Sequence, residues 1–283
     1  VVENSWQGPQ LDLQRDDLGA DRVILEGWIR DSTLTDVLNF TGFNYESLKE
    51  IALEKTFSAF PLRGLTLSSE IHNKVRYLQS HNIAAVKKGS VQPDEYILFM
   101  AHWDHLGFME GAQMGDDKIA NGAVDNATGI AAVFEFAKRF SEIETDRSIM
   151  FLAVTLEESG LLGSEYFAKY PPIDLSNIVA GFNYDAILPT GLTNDMVVVG
   201  YGASELEDLL EDELSKSGRY INPDPNPDKG YFYRSDHISF AKRGVPVLYA
   251  DGGFDLVDGG KEAGFIIEEQ YRLDAYHGVA DEY

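Results

Sequence analysis

The chain reads as an α/β protein, a three-layer sandwich with a mixed, largely parallel central sheet flanked by helices. Three observations predict it. From Glu95 onward, apolar strand-like runs alternate with helical patterns, the order that builds a parallel sheet through crossover connections. Tyr96-Ile-Leu-Phe-Met-Ala101 and Ile149-Met-Phe-Leu-Ala-Val-Thr-Leu156 are almost wholly apolar, as strands covered on both faces must be. Finally, His102, the pair Glu157-Glu158, and Asp185 each come directly after such a run.

Taken in order, residues 1–30 carry Trp6, Gly8, Pro9 and Trp28 without long periodicity, which predicts short strands and turns. Residues 33–54 hold Leu34, Val37, Leu38, Leu48, Ile51 and Ala52 at helical spacings broken by Thr41-Gly42, predicting two short helices. Strands are expected at Leu62-Arg-Gly-Leu-Thr-Leu67, at Val75-Arg-Tyr-Leu78 and at Asn82-Ile-Ala-Ala-Val86. Ile130, Val133, Phe134, Ala137 and Phe140 mark one side of a helix after the first buried strand. A short helix at 163–169 follows the second, then strands Ile178-Val-Ala-Gly-Phe-Asn-Tyr184 and Met196-Val-Val-Val199. A helix is expected at 206–214, another at 235–243, and a strand at Val245-Pro-Val-Leu-Tyr249. Asn222-Pro-Asp-Pro-Asn-Pro-Asp-Lys-Gly230 is a loop, because its prolines fit neither a helix nor a central ladder. There is no internal repeat.

Composition narrows the function classes. At 283 residues, 44% hydrophobic and 25% charged, the sequence is that of a globular protein of one or two domains. It has no apolar run of about 18 residues, so no membrane insertion is expected. Lys+Arg 23 against Asp+Glu 47 gives a net charge of -24, which disfavours nucleic acid and anionic lipid. The same charge attracts cations and the amino termini of peptides, or is simply a general acidic surface. With no cysteine, a metal must be held by nitrogen and oxygen.

In open α/β sheets, ligands bind beyond the carboxyl ends of the strands. Three strands delivering His102, Glu157-Glu158 and Asp185 to that edge therefore point to a histidine-and-carboxylate cage for divalent metal, with Asp125 and His277 as further candidates. Each residue also has an ordinary reading. A lone His102 is most often a solvated or core histidine, although Asp104 two residues on is the kind of partner that fixes a ligating imidazole. Asp125 alone reads as the N-cap of the next helix. Glu157-Glu158 alone reads as a solvated turn. Adjacent carboxylates leaving an extended segment point to opposite sides, so one can bind metal while the other handles a proton.

Six ordered blocks carry a resemblance. They are Ala101-His-Trp-Asp-His-Leu-Gly107, Gly122-Ala-Val-Asp-Asn-Ala-Thr-Gly129, Glu157-Glu-Ser-Gly-Leu-Leu-Gly-Ser164, Asn183-Tyr-Asp185, Ser235-Asp-His237 with Arg243-Gly-Val-Pro246, and Tyr276-His-Gly-Val-Ala-Asp281. Across residues 75–283 the chain resembles the co-catalytic zinc aminopeptidases related to bacterial leucyl aminopeptidase. The resemblance implies two Zn²⁺ ions and peptide substrates with a free amino terminus. His102 would bind one zinc, its imidazole held by Asp104, and His277 would complete the second site. Asp125 would bridge both ions through a peptide that in this family is often cis, and Glu158 and Asp185 would bind one ion each. Glu157 would be the general base. Asp236 and His237 would lie beside substrate, and His105 would line the mouth. The serine-triad look of Ser235-Asp-His237 is set aside, since three consecutive residues cannot form that relay.

Two departures from the family pattern shape the expected domains. Asn4-Ser-Trp-Gln-Gly-Pro-Gln10 and Glu26-Gly-Trp-Ile29 look like the tail of an inserted protease-associated domain, giving residues 1–60 as its remnant plus connecting helices. Residues 61–283 form the catalytic domain, which stops soon after the last ligand and reads as trimmed at its C-terminal side. Relatives carrying the insert are commonly periplasmic or secreted, and that location is expected here. Two other readings share the fold: a one-zinc glutaminyl cyclase, and a non-catalytic relative that has lost its ligands.

Overall fold

The computed structural model describes residues 9–17, 19–20, 22–109 and 117–283. They fall into two compact units, Gln14–Leu78 and a larger one that includes Gln79–Tyr283. The smaller unit holds the two expected helices, α1 (Asp31–Phe40) and α2 (Tyr45–Ala52). The first ends where the amides of Thr41 and Phe43 both turn back to the Leu38 carbonyl. The second starts on an Asn44 cap that accepts the Ser47 amide at 2.9 Å.

The strands expected at 62–67 and 75–78 do not form, and residues 9–30 contain turns rather than strands. Leu67, Val75 and Tyr77 are exposed. An apolar run becomes a strand only where a neighbour takes up its backbone hydrogen bonds, and sequence alone does not supply that neighbour. The expected insert tail at Asn4–Gly8 lies outside the described residues.

The larger unit is built on a seven-stranded sheet among the described residues, ordered β1-β5-β2-β6-β9-β7-β8. Its strands are β1 (Ile83–Lys87), β2 (Gln92–His102), β5 (Arg147–Val154), β6 (Ile178–Asn183), β7 (Asp195–Val198), β8 (Tyr220–Pro223) and β9 (Val247–Gly252). A two-stranded pair, β3 (Gly107–Phe108) and β4 (Ile119–Ala120), stands apart from it. β5, β2, β6 and β9 run parallel, while β1 and β7 are antiparallel to their neighbours β5 and β9. The mixed, largely parallel sheet expected from the sequence is present.

Strand order locates the site. After β2 the chain crosses through α3 (Ala127–Ser141) to β5 on one side, and after β6 it proceeds to the other side. A crevice opens where neighbouring strands send their connections in opposite directions. Register keeps the strand ends level there, with His102 opposite Val154 and Met100 opposite Asn183.

Side-chain alternation divides the core into two. Leu98, Met100, Met150, Leu152 and Val154 pack on one face with Phe167 of α4 (Leu162–Lys169) and Phe240 of α6 (His237–Ala241). Phe99, Ala101, Ile149 and Phe151 pack on the other against α3, through Ile130, Val133, Phe136, Ala137 and Phe140. Phe136 stands where Phe134 was expected; Phe134 is 70% exposed, and Phe136 stacks on Phe99 at 4.9 Å. The proline segment begins inside β8, where an edge strand tolerates Pro223. Besides α5 (Leu206–Ser215), a long helix α7 (Gly260–Asp274) appears that periodicity had not marked.

Gly163, in the first turn of α4, lies flush against the end of β5. A Cβ there would meet the Thr155 carbonyl oxygen, with Asn82 Oδ1 at 2.7 Å. Asn82 already bonds Gly163 O at 2.8 Å and accepts the Thr155 amide at 3.0 Å, so neither neighbour can yield cheaply. Gly163→Ala is expected to lower unfolding stability by about 1–3 kcal/mol. The check is a fall in the urea midpoint with an unchanged slope, and an unaltered midpoint contradicts the close contact.

Candidate metal centre

The residues expected at the sheet edge meet there, and backbone contacts hold them. His102 ends β2 and donates through Nδ1 to the main-chain oxygen of Asp104 at 3.0 Å, while the Asp104 carboxylate stays 3.8 Å away. At that distance the carboxylate is an ion-pair neighbour of the imidazole, and the carbonyl of the same residue takes the hydrogen bond. The carboxylate turns to the strand end of β5, accepting the amides of Glu157 at 3.1 Å and Glu158 at 3.3 Å. The tautomer of His102 is still fixed, by a carbonyl rather than a carboxylate, and Nε2 is left as the donor atom for a metal.

Asp125 is not the N-cap of α3. That cap is Asn126, whose Oδ1 accepts from Gly129 N at 3.0 Å and from Ala186 N at 3.2 Å, while its Nδ2 donates to Tyr184 O. Asp281 accepts the amides of Val124 and Asp125 at 2.9 and 3.0 Å. The Asp125-Asn126 peptide is cis.

Two donor sets share Asp125. His102 Nε2 lies 3.2 Å from both Asp125 Oδ1 and Asp185 Oδ1. His277 Nε2 lies 3.3 Å from both Asp125 Oδ2 and Glu158 Oε2. Donor atoms bound about 2.0–2.1 Å from a tetrahedral zinc ion are about 3.3–3.4 Å from one another. The spacings, and a donor set of imidazole and carboxylate alone, fit two such ions with one Asp125 oxygen turned toward each.

The charges point the same way. Burial opposes a proton on His102, but Asp185, Asp125 and Glu157 together hold its pKa well above the usual histidine value. Burial would raise Asp125, yet contacts from His102 and His277 keep it below the ordinary carboxylate range. The cluster thus draws positive charge, which a dication supplies by displacing the proton. Glu157 belongs to neither donor set. Burial, opposed by His102 and reinforced by Asp185, Asp236 and Glu158, pushes it well above the usual carboxylate range.

Asp236 and His237 are near but fully enclosed, each 0% exposed. Ser164 approaches the Asp236 carboxylate and the Phe232 backbone approaches the His237 ring, in each case outside good hydrogen-bond geometry. Burial pushes Asp236 up to about 7 and His237 down to about 4. His237 sits between the rings of Phe232 and Tyr249, each 5.0 Å away. Asp236 stands just before α6 and His237 opens it. The first residue of their motif is the one that reaches the centre: Ser235 Oγ donates to Asp185 Oδ2 at 2.6 Å and accepts from Asn183 Nδ2 at 2.7 Å. His105, expected at the mouth, is partly buried as a residue, with its side chain 5% exposed beside Glu158 and Nδ1 2.6 Å from Oε1. Hydroxyl and imidazole contacts of this kind depend on the folded approach of distant segments and leave no periodic signal.

Residues 82–283 match the family profile described as peptidase family M28. A probable zinc metalloprotease of Pyrenophora tritici-repentis is 36% identical over 105 residues, covering 37% of this chain and 24% of that protein. Aminopeptidase YwaD of Bacillus subtilis is 28% identical over 110 residues, covering 38% of this chain and 22% of that protein. The matches thus span under a quarter of either relative's length. Among solved structures, a leucine aminopeptidase precursor from Bacteroides thetaiotaomicron superposes with a TM-score of 0.51 at 17% identity, covering 72% of this chain and 70% of that one. A glutaminyl cyclase from the same organism gives 0.50 at 17% identity, covering 71% and 69%. At that identity both are likenesses of fold.

The place of Asp104 is open to test. Asp104→Ala removes the acceptor of two amides in the Glu157-Glu158 turn, at a cost of about 1–3 kcal/mol for each buried group left unpaired. Urea unfolding and a zinc titration should both show loss. Unchanged stability and zinc affinity would mean that the turn holds itself.

Proposed function

The chain belongs to peptidase family M28, and on that footing we propose that it is a zinc-dependent aminopeptidase acting through two metal ions and a glutamate base. One observation carries this reading: two donor sets with zinc-like spacing share Asp125, while Glu157, near enough to feel the charges of His102, Asp185 and Glu158, belongs to neither. His102, Asp125 and Asp185 would hold one ion, and Asp125, Glu158 and His277 the other. Zinc bound there would supply Lewis acidity toward a scissile carbonyl and an attacking water. The names of the curated relatives, a zinc metalloprotease and an aminopeptidase, support the same class. A cyclase that works with one zinc has no use for the second set, in which His277 and Glu158 both face Asp125.

Glu157 does the proton work. Its carboxylate accepts a proton from water as the new C–O bond forms, and returns it to the amine nitrogen as the C–N bond breaks. Burial favours the protonated form, so Glu157 gains a proton more readily than a solvated carboxylate would. With both donor sets filled, the added positive charge beside Glu157 would oppose that shift and favour its ionised form. Its amide is anchored on Asp104, which fixes the distance between base and donor sets. The excess of carboxylates around the centre suits a substrate bearing a free α-ammonium group.

Two measurements test the reading. Glu157→Gln should retain two zinc ions and lose about 10²–10⁴ in turnover, the usual scale for a general base. Glu158→Gln should bind one ion poorly and regain part of its activity in excess zinc. Zinc loss in the first variant with retention in the second would reverse the two roles. Peptides with an acetylated amino terminus should be poor substrates beside their free counterparts. Equal cleavage of both at internal bonds would mark an endopeptidase.

A further inference from the structure

We propose that His105 is a positioning residue of the metal centre, fixing which oxygen of Glu158 faces the ion; the inference rests on the two-metal reading. The distances separate it from the ligands. The histidine-to-carboxylate spacings in the two sets are 3.2 or 3.3 Å, whereas His105 Nδ1 and Glu158 Oε1 are 2.6 Å apart. The longer spacing leaves room for an ion between the atoms, and the shorter one is a direct hydrogen bond. His105 groups with Asp125 and Glu158 as a residue that could hold an ion, and its direct bond to Oε1 gives it instead the work of holding Glu158.

The bond divides the carboxylate of Glu158. Oε1 accepts from His105, and Oε2 turns to His277 at 3.3 Å. Asp185 is divided in the same way, with Oδ2 taken by Ser235 and Oδ1 facing His102. Each terminal carboxylate thus presents one oxygen, and a side chain from another segment holds the second. Nothing else competes for the His105 ring, since Nε2 is buried without a hydrogen-bond partner among the described residues. The fold also makes room for the ring. A Cβ at Gly122 would fall 2.7 Å from His105 Cγ and 2.9 Å from its Cβ, so only glycine leaves this space beside the Asp125 turn.

Outer partners of this sort commonly contribute 10–100-fold to metal affinity. The experiment is zinc titration of the full chain against a competing chromophoric chelator, for the parent and three variants. His105→Leu removes the donor and should weaken one of the two sites by about 10–100-fold while sparing the other. His105→Asn places an amide N–H near the position of Nδ1 and should restore most of that loss. His105→Gln carries its donor farther out and should not, which keeps the comparison decisive even if the leucine variant fails to fold. Parent-like affinities for two ions in His105→Leu, or equal weakness of the Asn and Gln variants, overturn the assignment. A parent chain that binds fewer than two ions overturns the two-metal reading itself.

Discussion

The placement of Asp125 is the constraint on which the centre depends. It is the one carboxylate common to both donor sets, so any rotation that improves one set spoils the other. The fold holds it from both sides of the chain. Asp281 grips the amides at 124 and 125, and the Asn126 side chain ties the same turn to the start of α3 and to the backbone around Asp185. Because Asn126 bonds Ala186 and Tyr184, the turn before α3 and the end of β6 move as one piece. Asp125 and Asp185 are thereby tied together through one side chain.

Around that fixed point the molecule gathers more negative charge than it can neutralise by itself. Glu157, Asp236 and Asp251 all have pKa values displaced upward by burial, with Asp251 pushed up to about 8. Leaving a carboxylate buried without a counter-charge is expensive, and such a group takes up a proton or finds a cation. The histidines of the centre share part of that burden in the free protein. Divalent ions relieve it further, so folding leaves a deficit of positive charge that ligand binding makes good.

Much of this was legible in the sequence because burial on both faces writes itself as an uninterrupted apolar run. Tyr96–Ala101 and the run from Ile149 announced β2 and β5, and the polar residues after them announced the functional edge. What failed shows where pattern stops carrying information. The runs at 62–67 and 75–78 have strand composition but no neighbour to pair with. Helix α7 escaped notice because six acidic or basic residues interrupt its apolar positions, with Phe265 and Tyr271 finding ring partners in Phe254 and Tyr276. Asp104 stands beside His102 as expected, but no sequence tells whether its carbonyl or its carboxylate takes the hydrogen bond. Ser235 and His105 were visible as letters, but their work depends on which oxygen of a distant carboxylate is left free.

The order of these residues along the chain has a consequence for biosynthesis. Translation produces the set of His102, Asp125 and Asp185 first, while His277 and the Asp281 that steadies Asp125 emerge far later. Domains begin to fold on the ribosome before the polypeptide is finished. A nascent chain can therefore lay down its seven-stranded sheet while the second donor set still lacks its histidine. The second donor set is complete only once His277 has emerged and Asp281 has docked on the turn at Asp125, so it forms after the sheet that carries the first.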